Sequence, residues 1–299
     1  MESTALKPTT QLRRLLAQGL VMAPGVHDGI SAKLVQEAGF PAIYVGTGSL
    51  AAAVYGRPDI ELITLSELMV VVRAICESAT IPVIVDADTG FGGLHNVIRT
   101  VREMESAGVA AIHLEDQPVP KRCGYFEGGG LLPIEEMVEK IQASVDARRD
   151  PDFMIIARVD GGFISSFDEA LERARAYQAA GADMVFVNGM STVEQARRVI
   201  AEAPGLHLYN VSGSDKAPFL SNTEIEAMGY RLAIYPLHAM RLAAFAMRNM
   251  FAELKRTGNL KQFLPQMINF QEYQRLTGAS AALELETQYA KRREPPQES

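Results

Sequence analysis

The chain has 299 residues, 47% hydrophobic and 22% charged, with no tryptophan, a length that carries one large α/β core or two ordinary ones. A net charge of −7 argues against a partner with a phosphate backbone, and two cysteines cannot build a disulfide framework. A cytoplasmic protein that binds no nucleic acid is therefore expected.

Met1 to Pro8 carry no hydrophobic signal core, and no apolar run is long enough for a bilayer, so no membrane partner is expected. Eight apolar, β-branched segments follow, each ending in small or polar residues: 20–28, 42–48, 82–89, 111–117, 153–161, 184–189, 207–213 and 231–236. Helical periodicity fills the gaps, for example at 65–78, 95–107, 133–148, 167–180 and 192–203. Ala38-Gly39, Ala107-Gly108 and Ala180-Gly181 read as helix stops. Eight strand–helix repeats predict a (β/α)8 TIM barrel, one domain over residues 1–299. Residues 239–255 read as a long helix and 260–287 as further helical material beyond the eighth repeat, whereas 292–299 is polar. Apolar surface outside a closed barrel needs a partner, so helices over 239–287 are expected to pack on a neighbouring subunit.

The chemistry concentrates at four strand ends and in the loop around Cys123. Strand side chains alternate faces, so Ile84, Asp86 and Asp88 share one, His113, Glu115 and Gln117 another, Arg158 and Asp160 a third, and Asn210 and Ser212 a fourth. In a barrel these positions point to the C-terminal mouth. Two aspartates and a glutamate meeting there repel one another unless a cation neutralises them, and an all-oxygen set selects Mg²⁺, or Mn²⁺, over zinc. The bland alternative is that the acids cap helices or pair with lysines. The turn Gly90-Phe91-Gly92-Gly93 lacks the G-x-G-x-x-G spacing, so no dinucleotide is expected. Cys76 sits in a helical run and reads as a small buried hydrophobe. Cys123 instead follows Lys121-Arg122 and precedes Gly124, with Gly128 to Gly130 beyond. Adjacent cations favour a thiolate, and the glycines let the loop open and close as a lid. Arg158 suits a bidentate clamp on a carboxylate, or an internal ion pair with Asp160 or Glu115. Asn188 and Asn210 each offer amide hydrogens to a substrate carboxylate or close a turn. Of the five histidines, His27, His113, His207 and His238 read as core or strand-end residues, and His95 as opening a helix.

The run Asp86-Ala-Asp-Thr-Gly-Phe-Gly, then Glu115-Asp-Gln, then Lys121-Arg-Cys-Gly resembles the isocitrate lyase and phosphoenolpyruvate mutase superfamily, most nearly its short-chain methylisocitrate lyases. The resemblance runs from about Leu12 to Leu285. It implies a barrel whose eighth helix is swapped onto a partner, in a homotetramer built as a dimer of helix-swapped dimers. It implies Mg²⁺ near Asp86, Asp88 and Glu115, with Asp59 in the outer sphere. Substrate carboxylates would be held by Gly46, Thr47, Gly48, Arg158 and Asn210, with Tyr44 near the reacting carbons.

The activity so implied is carbon–carbon cleavage of a 2-hydroxy di- or tricarboxylate into a 2-oxo acid and a second carboxylic acid. Cys123 would protonate the departing enolate as general acid. Three positions depart from the lyase pattern: Tyr125 stands where a histidine is usual, Asn188 where a glutamate is, and Gly46 where a serine is. They point to a smaller or differently substituted malate. The rival chemistries are an oxaloacetate decarboxylase and a carboxyphosphonoenolpyruvate-type mutase, whose usual lid asparagine is absent beside Cys123. The non-enzymatic rival is an inactive barrel acting as a binding protein.

Overall fold

The eight apolar segments each contain one strand: β1 Val21–Val26, β2 Ile43–Val45, β3 Val83–Asp86, β4 Ala111–Glu115, β5 Met154–Val159, β6 Met184–Val187, β7 Leu208–Asn210 and β8 Leu232–Tyr235. The computed structural model describes residues 6–291 apart from Tyr125, Glu127 and Asp215. The Tyr125 departure, the start of the 1–8 segment and the polar 292–299 end lie outside the described residues. All strand pairs are parallel, in the order β6-β5-β4-β3-β2-β1-β8-β7. A parallel bridge between Val185 and His207 joins β6 to β7 and closes the (β/α)8 barrel. No helix among the described residues is long and apolar enough to cross a membrane.

Parallel strands covered on both faces must be apolar on both, which explains runs such as Val83-Ile84-Val85 and Met154-Ile155-Ile156. The outward-facing set (Val45, Val85, Ile112, Ile155, Val185) joins the helices in the larger core. The inward-facing set (Ala23, Tyr44, Ile84, Ile156, Phe186, Ile234) fills the barrel, and Leu12 and Leu16 of the helix Pro8–Gln18 pack against it.

The helix Leu65–Ser78 has the bounds expected from its period, opened by a reciprocal Thr64–Glu67 capping box of a kind worth about 1 kcal/mol. Similar boxes, Thr192 with Gln195 and Ser221 with Glu224, open later crossover helices. Two local expectations are corrected. Segment 42–48 is strand only to Val45; Thr47–Tyr55 is already helix, opened by Gly46. Asp88 is not a strand residue either: β3 stops at Asp86, and Asp88 has φ +46°. A left-handed non-glycine residue is uncommon and costs backbone strain, a feature that recurs at functional sites.

The chain divides into two compact units, one ending at Arg241 and the other beginning at Leu242. Beyond the barrel run the helix His238–Thr257, a 3₁₀ turn Lys261–Gln266 interrupted by Pro265, and the helices Phe270–Thr277 and Ala279–Lys291. Much of this region's apolar surface is exposed, with Phe245 at 60% and Phe270 at 73%.

Candidate active site

Inside the barrel Tyr44, Ile84, His113, Ile156, Phe186, Leu208 and Ile234 are buried, and alternation puts the residue two positions on at the C-terminal mouth. That rule yields Gly46, Asp86, Glu115, Arg158, Asn188, Asn210 and Pro236. All but Glu115 line one cavity, together with Gly48, Ser49, Asp59, Cys123 and Gly124.

Asp86, Asp88 and Glu115 each offer a carboxylate oxygen, and these atoms lie within 4.8 Å of one another. All three side chains are buried. Asp88 Oδ2 and Glu115 Oε1 have no hydrogen-bond partner among the described residues. Burial pushes the Asp88 carboxyl up to about 7, and it pushes Asp86 and, more strongly, Glu115 upward as well. Each shift disfavours the charged form, so a cation set among these carboxylates would stabilise it. Buried, converging and partly unpartnered oxygens fit a hard divalent ion.

Two cations face the acids. Lys121 Nζ lies 3.0 Å from Asp88 Oδ1 and also pairs with Asp59. Burial works against its ammonium, but Asp88, Glu115, Asp59 and Asp86 outweigh it and hold it protonated. Lys121 was expected to serve the thiol of Cys123; its side chain turns instead to the carboxylates. Arg158 is the in-register neighbour of Glu115, and its Nη1 lies 2.9 Å from Glu115 Oε2. Its Nε and Nη2 donate to Asp160 at 3.0 and 3.2 Å. Both internal pairs weighed as alternatives to the clamp are thus present, while the guanidinium still lines the cavity.

The remaining expected residues divide by orientation. Thr47 donates its hydroxyl to Asp88 Oδ1 at 2.7 Å and Asp86 Oδ2 at 3.2 Å, so its side chain belongs to the acid cluster. Gly46 and Gly48 line the cavity at the start of the helix Thr47–Tyr55, where unpaired N–H groups favour an anion. A Cβ at Gly48 would come within 2.9 Å of Asp59 Oδ2, so glycine there lets Asp59 approach. Asn188 donates to Asp160 Oδ1 at 2.9 Å. Asn210 Oδ1 is buried and unpartnered among the described residues, on the cavity wall. The Cys123 thiol lines the same cavity, its N–H donating to the Asp59 carbonyl at 3.1 Å.

His113, read above as a core or strand-end histidine on the face of Glu115, was given no role in the site. Its Nε2 lies 2.8 Å from the Tyr44 hydroxyl, and its Nδ1 lies 3.4 Å from Asp86 Oδ1. Burial and the nearby Arg158 push its pKa well below 6.5, so the ring is neutral. Burial and Asp86 likewise push Tyr44 well above 10, which keeps it a phenol. Asp160 was also underread. Burial disfavours its charge, but Arg158 and the hydrogen bonds from Gln117 and Asn188 overcome that and hold it ionised. Alternation had placed both on mouth-facing sides, His113 two residues before Glu115 and Asp160 two after Arg158, but sequence alone did not show which groups they would bond.

Residues 12–255 match the family described as phosphoenolpyruvate phosphomutase. The chain is 42% identical to 2,3-dimethylmalate lyase of Eubacterium barkeri over 286 residues, 95% of this chain and 99% of that enzyme. It is 39% identical to 2-methylisocitrate lyase of Aeropyrum pernix over 277 residues, 91% of this chain and 88% of that enzyme. A crystal structure of 2,3-dimethylmalate lyase superposes with a TM-score of 0.89 at 37% identity, covering 95% of this chain and 96% of that one. The barrel, the acid cluster at its mouth and these likenesses converge: the chain belongs to the phosphoenolpyruvate mutase/isocitrate lyase superfamily.

Proposed function

We propose that the protein is a Mg²⁺-dependent carbon–carbon lyase that cleaves an alkyl-substituted 2-hydroxy dicarboxylate into a 2-oxo acid and a second carboxylic acid. The observation that carries this reading is one cavity bringing together Asp86 of the buried acid cluster, the Arg158 guanidinium and the Cys123 thiol. The close relatives, curated as lyases of dimethylmalate and methylisocitrate, support the same bond cleavage.

A divalent cation held by Asp86, Asp88 and Glu115, with Asp59 beyond them, would polarise the 2-hydroxy acid and lower its hydroxyl pKa. The chain's own groups do the rest. Arg158, Asn210 and the N–H groups at Gly46 to Gly48 orient the carboxylates. Tyr44, held as a phenol against His113, directs a hydrogen bond toward the reacting carbons. With the hydroxyl proton lost to solvent before the lid closes, the C=O bond of the 2-oxo acid forms as the carbon–carbon bond breaks, leaving a carboxylate-stabilised enolate. Cys123 Sγ–H delivers a proton to its carbon and regains one from solvent on opening. The lid bearing Cys123 keeps water from that proton transfer.

The cavity favours a dicarboxylate. Of the described residues lining it, Arg158 is the one cation, while Phe186, Ile234, Pro236 and Leu237 form an apolar wall. A third carboxylate would lie without a counter-charge, whereas methyl groups gain contact. Asn188, bound to Asp160, adds no cation.

The test is release of 2-oxo acid from 2,3-dimethylmalate, citramalate, 2-methylisocitrate, isocitrate and oxaloacetate, with Mg²⁺ and after chelation. Substituted malates should turn over fastest, and only with metal. Release from none of them overturns the lyase reading and leaves a binding protein. We further propose a cytoplasmic homotetramer in which residues 239–287 pack on a neighbouring subunit. The exposed apolar side chains beyond Leu242 and the two-cysteine composition support this.

A further inference from the structure

Besides Lys121, which is itself buried against Asp59 and Asp88, one further buried side chain holds the loop that carries Cys123. Gln117 lies two residues beyond β4 and is 1% exposed. Its Nε2 donates to the Arg122 carbonyl at 2.9 Å, and its Oε1 accepts the Arg122 N–H at 3.0 Å. A side-chain amide thus pairs with both main-chain groups of one lid residue, as a neighbouring strand would. The second Nε2 hydrogen goes to Asp160 Oδ2 at 2.6 Å. That carboxylate also receives two bonds from Arg158 and one from Asn188. Every polar atom of Gln117 is committed. The pairing is to backbone, so it does not depend on the Arg122 side chain.

We propose that Gln117 is the latch of the lid, a positioning residue that seats Cys123 over the cavity and, through Asp160, fixes the lid against the same carboxylate that aligns Arg158. Lid closure and alignment of the clamp then share one anchor. Breaking the latch removes both bonds to the Arg122 main chain and loosens the neighbouring Cys123, while the barrel and the acid cluster stay intact. The lid's other attachments include Lys121 N–H to Glu61 Oε2 at 2.8 Å, the Lys121 ammonium to Asp59 and Asp88, and Cys123 N–H to the Asp59 carbonyl at 3.1 Å; none of these reaches Asp160 or the Arg158 clamp. This role deepens the lyase reading, in which Cys123 works from a closed lid.

The experiment reads lid position without turnover. Iodoacetamide labelling of Cys123 is followed by peptide mass mapping, with Mg²⁺ alone and with Mg²⁺ and oxalate, a planar mimic of a 2-oxo acid enolate. Oxalate is set to saturate each protein, as measured by calorimetry. Oxalate should protect wild-type Cys123 by about tenfold or more, in the range expected from losing a few hydrogen bonds. In Gln117→Leu the protection should fall below about twofold, with the melting temperature and Mg²⁺ affinity close to wild type. Gln117→Asn, which keeps the amide but is one methylene too short, should lose protection in the same way and stands in if the leucine variant fails to fold. Equal protection in wild type and variants, or none in any of them, overturns the latch. Intact, Gln117-dependent protection without 2-oxo acid release by wild type would instead sink the lyase reading and leave the latch standing.

Discussion

At the residue scale the two cysteines part company. Cys76 lies on the helix Leu65–Ser78, and burial, aided by Glu77, pushes its thiol up to about 11. At pH 8 its thiolate is rare, so iodoacetamide should leave it unmodified. Cys123 lines the cavity with Asp86 and Arg158. Replacing its sulfur by oxygen leaves a side chain of similar size but a far weaker acid. Cys123→Ser should lower turnover by about 10²–10⁴-fold, the usual weight of a positioned general acid. Melting temperature and Mg²⁺ affinity by calorimetry should stay put; full turnover would remove the thiol from the chemistry. The acids were legible from sequence because carboxylates closing apolar strands have nowhere to go but the barrel mouth. Lys121 was not, because its neighbourhood in sequence is the cysteine, whereas its Nζ is drawn to the larger charge of Asp59 and Asp88. The bond from the Thr47 hydroxyl to Asp86 and Asp88 was hidden for the same reason, since only the fold brings those acids near.

At the element scale every strand was readable, since parallel strands buried on both faces leave unbroken apolar runs. Long amphipathic helices were equally plain. The helix Thr47–Tyr55 was partly concealed because its opening Thr-Gly-Ser continues an apolar strand with no change of period. The closing seam of the barrel carries a pH-sensitive element. His207, bridged through its backbone to Val185, donates its Nε2–H to the Ala203 carbonyl at 2.9 Å. Burial lowers its pKa below 6.5 despite that bond. Below pH 6.5 the unfolded chain therefore binds more protons than the folded one. Stability falls as acid is added from about 6.5 down to the folded pKa, by at most about 1.4 kcal/mol per pH unit for this group. His113, buried and also lowered, acts in the same direction. The buried carboxyls of Asp86, Asp88, Glu115 and Asp116 are raised and act in the opposite direction, so the share of His207 is read as a difference. The melting temperature of wild type relative to His207→Gln should fall between pH 7.5 and 5, and a constant difference would remove His207 from the effect.

At the scale of the whole molecule the question is what covers the C-terminal helices. At 100° per residue, Leu242 and Phe245 fall on one side of the helix His238–Thr257, and Met247, Phe251 and Leu254 on nearly the opposite side. All five are exposed, and the helix buries none of its residues. A helix apolar on two sides is one packed from two sides. Exposed apolar surface of this extent marks a protein interface rather than a solvated face, and a second copy of the chain is the partner the proposed tetramer supplies. Light scattering after size exclusion should give about four times the chain mass, as a closed dihedral assembly requires. Phe251→Glu places a charge in that interface, where an unpaired buried charge costs several kcal/mol, and should shift the mass to smaller species. The barrel's circular dichroism should survive the change, because the barrel core is built from residues that precede this helix. A wild-type chain that runs as a monomer at micromolar concentration would leave the two apolar faces without a partner and overturn the assembly.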